Sequence, residues 1–130
     1  MTLRIGEISL DCSDPERAAQ FWCAALGYRI TDRDETGVAI AGSSSAPTIL
    51  LITSSEPKTS KNRLHFDLCP LDGSTRDDEV DRLLALGATA VDIGQGDSSW
   101  KVLADPCGNE FCVMRTTLPP EPEPFHHMDE

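Results

Sequence analysis

From Arg4 to Cys12 the apolar residues Ile8 and Leu10 alternate with Glu7, Ser9 and Asp11. That two-residue period predicts a strand with one oily and one polar face. Asp14 and Pro15 then supply a helix start, a carboxylate to cap free amides and a proline at a position that needs no N–H. Ala18, Phe21, Trp22, Ala25 and Leu26 follow at helical spacing, and Gly27 suits a left-handed cap. Tyr28 to Thr31, Val38 to Ala41 and Thr48 to Thr53 read as three further strands, separated by polar or glycine-containing loops.

The same order then recurs. In Arg63 to Cys69, Leu64, Phe66 and Leu68 face one way and His65 and Asp67 the other. Ser74 or Thr75, followed by Asp77 and Asp78, opens a helix carrying Val80, Leu83 and Leu84 that Gly87 ends. Ala88 to Ile93, Trp100 to Ala104 and Glu110 to Met114 supply three more strands, the last two joined by Asp105-Pro106-Cys107-Gly108-Asn109, which reads as a structural turn. Ala25-Leu26-Gly27 at the first helix end returns sixty residues later as Ala85-Leu86-Gly87, and Glu7 corresponds to His65. The chain is therefore expected to be α+β, two tandem β-α-β-β-β modules, over about 3–55 and 63–116, in one domain spanning 1–116. Phe21, Leu26, Leu64, Phe66, Leu83 and Phe111 are its expected core. Residues 117–130, rich in proline and glutamate, read as a mobile tail that carries His126 and His127 away from any site.

Composition narrows the classes. The 130 residues are 39% hydrophobic and 25% charged, enough apolar content for one core. With 22 acidic and 11 basic residues, the net charge of -11 argues against nucleic acid and anionic membrane as partners. Neither an apolar leader nor a run of about 20 apolar residues occurs, so a cytoplasmic protein is expected. Five cysteines without a Cys-x-x-Cys pair read as reduced thiols. No phosphate-binding glycine loop, Gly-x-Ser-x-Gly elbow or His-Glu-x-x-His helix is found.

Three segments in order on this doubled pattern carry a family resemblance: Asp14-Pro15-Glu16-Arg17 leading to Phe21-Trp22 and Ala25-Leu26-Gly27-Tyr28, then Pro57 to Leu68, then Asp105 to Phe111. On them, residues 3–116 resemble the vicinal oxygen chelate superfamily, in particular its glyoxalase-like and bleomycin-resistance-like members. The resemblance implies a curled mixed sheet around a cavity, with Glu7, Ser9 and Asp11 and with His65 and Asp67 looking into it. It also implies a homodimer, for which Ala18, Trp22 and Ala25 offer an apolar stripe.

Metal-dependent members place a ligand on the first and last strand of each module. Carried onto this chain, those positions are Glu7, Ile52, His65 and Cys112. Isoleucine has no donor atom, so a four-ligand cage is not expected unless the register of that strand is off by one, which would put the weak donor Thr53 there instead. Glu7, His65 and Cys112 would leave a three-ligand site with an open position as the alternative. His65 suits a ligand, a general base or a plain hydrogen-bonding cavity residue. Lys58, Lys61 and Arg63 are either an anion-attracting field or a linker whose cations balance nearby carboxylates, and the second reading is preferred. The expectation is a binder of a small organic molecule with no metal and no cofactor, lined by Glu7, Ser9, Ile52, His65, Asp67, Trp100 and Cys112. The alternative is a lyase, isomerase or dioxygenase that uses His65 with Glu7 as acid and base or as ligands to a divalent metal.

Overall fold

The computed structural model describes residues 1–43, 45–91 and 100–120, and of Trp100 the backbone alone. Strand β1 (Glu7–Cys12) leads into helix α1 (Pro15–Leu26), then β2 (Arg29–Asp34), β3 (Gly37–Ala41) and β4 (Thr48–Thr53). The second module runs β5 (Asp67–Leu68), α2 (Arg76–Leu86), β6 (Thr89–Ala90), β7 (Trp100–Ala104) and β8 (Glu110–Met114). The helix ends follow from the residues named above. Asp14 Oδ1 accepts from the Arg17 amide at 3.2 Å, and Gly27 at φ 72° donates back to the Cys23 carbonyl. Thr75 Oγ1 accepts from the Asp78 amide at 3.1 Å, and Gly87 at φ 120° closes α2.

Each module makes a four-stranded mixed sheet of the same order, β1-β4-β3-β2 and β5-β8-β7-β6. The outer strand is parallel to its neighbour and the other pairings are antiparallel. β1 and β2 are the edges of the first sheet and β5 and β6 those of the second, and among the described residues no ladder joins the two sheets. What joins the modules is α1. Trp22, 1% exposed, meets Phe111 at 4.9 Å and Phe66 at 5.6 Å between ring centroids, and Phe21 meets Phe111 at 6.0 Å. Rings of this size contribute roughly 1.5–3 kcal/mol each by burial. The Trp22 indole N–H donates to Asp105 Oδ2 at 2.9 Å, while Asp105 Oδ1 accepts from the amides of Cys107 and Asn109, both at 2.9 Å. The 105–109 turn is therefore structural, and it ties the second module to the first.

Several expectations need correction. Leu64 is 76% exposed, not core, because the chain bends at 63–64 and joins the β8 ladder only at Asp67. Leu26 and Phe66 are partly buried, whereas Phe21, Leu83 and Phe111 are buried as expected. β1 begins at Glu7 rather than Arg4, which leaves Leu3 and Ile5 exposed. β2 continues through Asp34, with a bulge after Ile30, because the Asp34 carboxylate accepts from Thr36 and Gly37 and closes a tight hairpin. The stripe assigned to a subunit interface is used inside the chain, since Ala18 and Trp22 are sealed in the core. The strand expected over Ala88 to Ile93 is described at Thr89–Ala90; its end, the Trp100 side chain and most of the tail lie outside the described residues. Leu118 still bridges Leu71, with hydrogen bonds to Pro70 and Asp72. Among the described residues no helix is long and apolar enough to cross a membrane.

Candidate functional site

The parallel ladder of module two sets Asp67 directly opposite Cys112. His65, two residues earlier on the same face, is drawn to both. Its Nδ1 lies 3.2 Å from Asp67 Oδ1 and 3.9 Å from Cys112 Sγ. The three donor atoms all lie within 4.8 Å of one another, and among the described residues this is the group of metal-ligating side chains that converges. The Cys112 amide donates to the Phe66 carbonyl at 2.8 Å, which fixes the cysteine between the two polar residues.

Cys112 is 5% exposed, while the His65 and Asp67 side chains are 32% and 53% exposed, so the cluster has a buried sulfur and an open side. Burial raises the Cys112 thiol above its ordinary pKa, the Asp67 carboxylate adds to this, and Lys61 opposes it weakly. A neutral thiol follows. A nucleophilic relay would need sulfur on one imidazole nitrogen and carboxylate on the other. Here both approach Nδ1, so this geometry is not that of a relay.

In module one the corresponding positions carry different chemistry. Glu7 pairs with Thr48, Ser9 with Leu50 and Asp11 with Ile52. Because Ser9 stands to Leu50 as Asp67 stands to Cys112, the counterpart of Cys112 is Leu50, two residues before the Ile52 carried over from the family. Glu7 opens the ladder and Ile52 lies four residues further along it, an offset of about 13 Å. Neither Leu50 nor Ile52 offers a donor, and Glu7 is not in the convergent group. The residues present therefore do not fit the four-corner cage.

Two depressions flank the junction of the modules. A groove of about 230 Å³ runs between β1 and the 62–66 segment, lined by the apolar residues Ile8, Leu10, Trp22, Leu64 and Phe66 and by polar residues including Ser9 and His65. A wider, more polar recess of about 800 Å³ lies beyond the end of β1, between Asp11 to Ser13 and the Ser54 to Ser60 linker. Asn62 and Asn109 line both, and Glu110 lines the groove beside them. Its carboxylate accepts from Lys58 Nζ at 2.9 Å and from the Asn62 amide at 2.8 Å. Asn62 Nδ2 donates to Asn109 Oδ1 at 3.1 Å, and Asn109 Nδ2 to the Asp11 carbonyl at 3.0 Å. Lys58 thus balances a carboxylate, in line with the linker reading.

Of the expected lining residues, the structure gathers His65, Asp67 and Cys112 in one cluster and puts Ser9 with His65 on the groove. Ile52 lines a separate recess of about 130 Å³ against Gly37 and Leu50. Glu7 lies on the exposed polar face of β1, away from the cluster. Sequence reasoning misses Asn62, Asn109 and Glu110 as residues of the site. The signal for them is faint in a sequence, because their contacts join positions about fifty or more residues apart.

The profile of the glyoxalase-like domain family matches residues 7–114, and the chain belongs to that family. No curated protein matches the chain. Among solved structures it is similar to a glyoxalase/bleomycin resistance protein/dioxygenase family enzyme from Burkholderia phytofirmans, at 17% identity and TM-score 0.67, covering 85% of this chain and 97% of that one. It is similar also to the fosfomycin resistance protein FosX from Mesorhizobium loti, at 14% identity and TM-score 0.66, covering 91% and 95%. The third is FosX from Listeria monocytogenes, solved with Mn(II) and a dihydroxypropylphosphonic acid, at 15% identity and TM-score 0.66, covering 91% and 94%. At these identities the likeness speaks for the fold.

Proposed function

We propose that this chain is a small-molecule-binding member of the glyoxalase-like family, holding an organic ligand in the groove between β1 and residues 62–66. The observation that carries the reading is the lining of that groove. Five apolar residues line it, while His65, Ser9 and Asn62 offer a few directed polar groups. The apolar residues supply burial and the polar groups supply orientation. FosX, a relative in fold, has been solved with a small phosphonic acid, which supports a compact organic ligand over a macromolecule. The net charge of -11 points the same way, against nucleic acid.

The test is a thermal-shift screen of small organic acids, alcohols and aromatic compounds in the presence of chelator, followed by calorimetry on the hits. A stabilising ligand is expected. Ser9→Trp, which fills the groove from the exposed face of β1, should abolish its binding. His65→Ala should weaken binding by roughly 0.5–1.5 kcal/mol, the net value of one hydrogen bond. A ligand whose affinity is untouched by both substitutions, or a screen that yields none, would remove the groove as the binding site.

A further inference from the structure

The side chains that converge most closely are not those of the cage implied by the family resemblance. Asp67 has no counterpart there, and it lies nearer His65 than Cys112 does. We propose that His65 Nδ1, Asp67 Oδ1 and Cys112 Sγ bind one divalent ion of the zinc class, with every protein ligand drawn from module two. This inference stands apart from the organic-ligand reading, since either can hold without the other.

The geometry carries it. Around a tetrahedral zinc ion with bonds of about 2.0–2.1 Å to nitrogen, 2.0–2.2 Å to oxygen and 2.3 Å to sulfur, nitrogen and oxygen stand about 3.3 Å apart and nitrogen and sulfur about 3.6 Å apart. The corresponding separations here are 3.2 Å and 3.9 Å, and no two of the three donors are more than 4.8 Å apart, so a small inward movement of the sulfur and the carboxylate completes the site. Both partners approach the same imidazole nitrogen, which suits a single ion shared by all three donors. The donors also sit on a fixed frame: Asp67 and Cys112 are a ladder pair, and the Phe66 carbonyl holds the Cys112 amide.

The donor chemistry selects the ion. One sulfur, one nitrogen and one oxygen suit zinc or cobalt, whereas magnesium and calcium prefer oxygen alone. The sulfur is buried while His65 and Asp67 are partly open, so a fourth position would face solvent. The first module supplies no ligand in this arrangement, because Leu50, the counterpart of Cys112, has no donor atom, and neither Glu7 nor Ser9 belongs to the convergent group.

The competing account is a His65–Asp67 ion pair beside an inert thiol, and metal titration separates the two. The protein would carry His126→Ala and His127→Ala, to remove the tail histidines as ligands. Equilibrium dialysis against zinc should then give one ion per chain. Cobalt should give an intense sulfur-to-metal charge-transfer band together with the visible bands of four-coordinate cobalt. Cys112→Ser should remove the charge-transfer band. Asp67→Asn, a substitution at an exposed residue whose folding is checked by circular dichroism, should weaken zinc binding at least roughly tenfold, as should His65→Ala. Glu7→Gln should change nothing. Equal zinc affinity in wild type and Asp67→Asn, or a cobalt complex without the sulfur band, would overturn the proposal. So would a loss on Glu7→Gln as large as that on Asp67→Asn, which would return the ion to a site shared between modules.

Discussion

The two modules share one strand order and differ in what they contribute. Module one supplies the frame: β1 and β4 pair over six residues, and α1 buries Ala18, Ala19, Phe21 and Trp22. Module two is lighter, with two residue pairs between β5 and β8 and one buried residue, Leu83, on α2. It is also the module that gathers the convergent side chains. The short β5 leaves residues 62–66 outside the ladder, free to line the groove and to bring His65 beside Asp67 and Cys112. A duplicated module thus repeats backbone topology while each copy's side chains follow their own chemistry, apolar packing in one and convergent polar groups in the other.

The comparison breaks most directly at Trp22. Truncating a buried aromatic to alanine costs about 3–5 kcal/mol, and here it also leaves the buried Asp105 without its indole donor. Because Trp22 meets Phe66 and Phe111 of the other module, Trp22→Ala should lower the midpoint of one common urea transition followed by both fluorescence and circular dichroism. Two separate transitions in the wild-type protein would show that the modules are energetically independent and that α1 does not bind them together.

A smaller effect is expected at the helix ends. α1 has no basic residue in its last turn, and the cation that serves it comes from the other module. Arg82 donates from Nη1 to the Ala24 carbonyl and from Nη2 to the Ala25 carbonyl, both at 3.1 Å, while Glu79 holds the guanidinium at 2.8 Å. Unfilled carbonyls at a helix C-terminus favour such a partner. With the side chain 44% exposed, Arg82→Ala should cost about 1 kcal/mol in urea denaturation. A cost below roughly 0.3 kcal/mol would reduce this bridge to an ordinary surface contact.

The fold was legible in the sequence because its signals are local. Asp14, Pro15, Gly27, Thr75 and Gly87 act on backbone within one turn, and each performs the expected capping or terminating role. Strand alternation worked where the ladder is long, and failed at Leu64, where the period continues but the pairing stops. Trp22 was readable as apolar, yet its spacing could not tell an internal seam from a subunit face; Asp105, 83 residues away, decides it. The site was half legible. His65 and Asp67 share a face by simple alternation, whereas the approach of Cys112 and the replacement of Ile52 by Leu50 depend on inter-strand register. Register is set by which chain pairs with which, and composition does not encode it.

The finest contrast between the modules is their response to acid. In module two, burial would raise the Glu110 carboxyl, but the Asn62 amide and the Lys58 ammonium more than offset it and hold it below the usual glutamate range. In module one, Asp34 is likewise held low by the Thr36 hydroxyl and amide, but on a fully exposed hairpin where solvent screens the effect. A carboxyl depressed on folding adds stability that is complete above its unfolded pKa, about 4.3 for glutamate, and is lost as pH falls through its lower folded value. Glu110→Gln should therefore be less stable than wild type near pH 7 by under about 1 kcal/mol. The two proteins should converge as the pH drops below the glutamate range, which flattens the acid limb of the variant's stability curve. Asp34→Asn should leave that limb close to wild type. The measurement is urea denaturation at half-unit steps from pH 7 to pH 3. An acid limb equally steep in Glu110→Gln and wild type would move the acid sensitivity away from the Lys58–Glu110–Asn62 clamp.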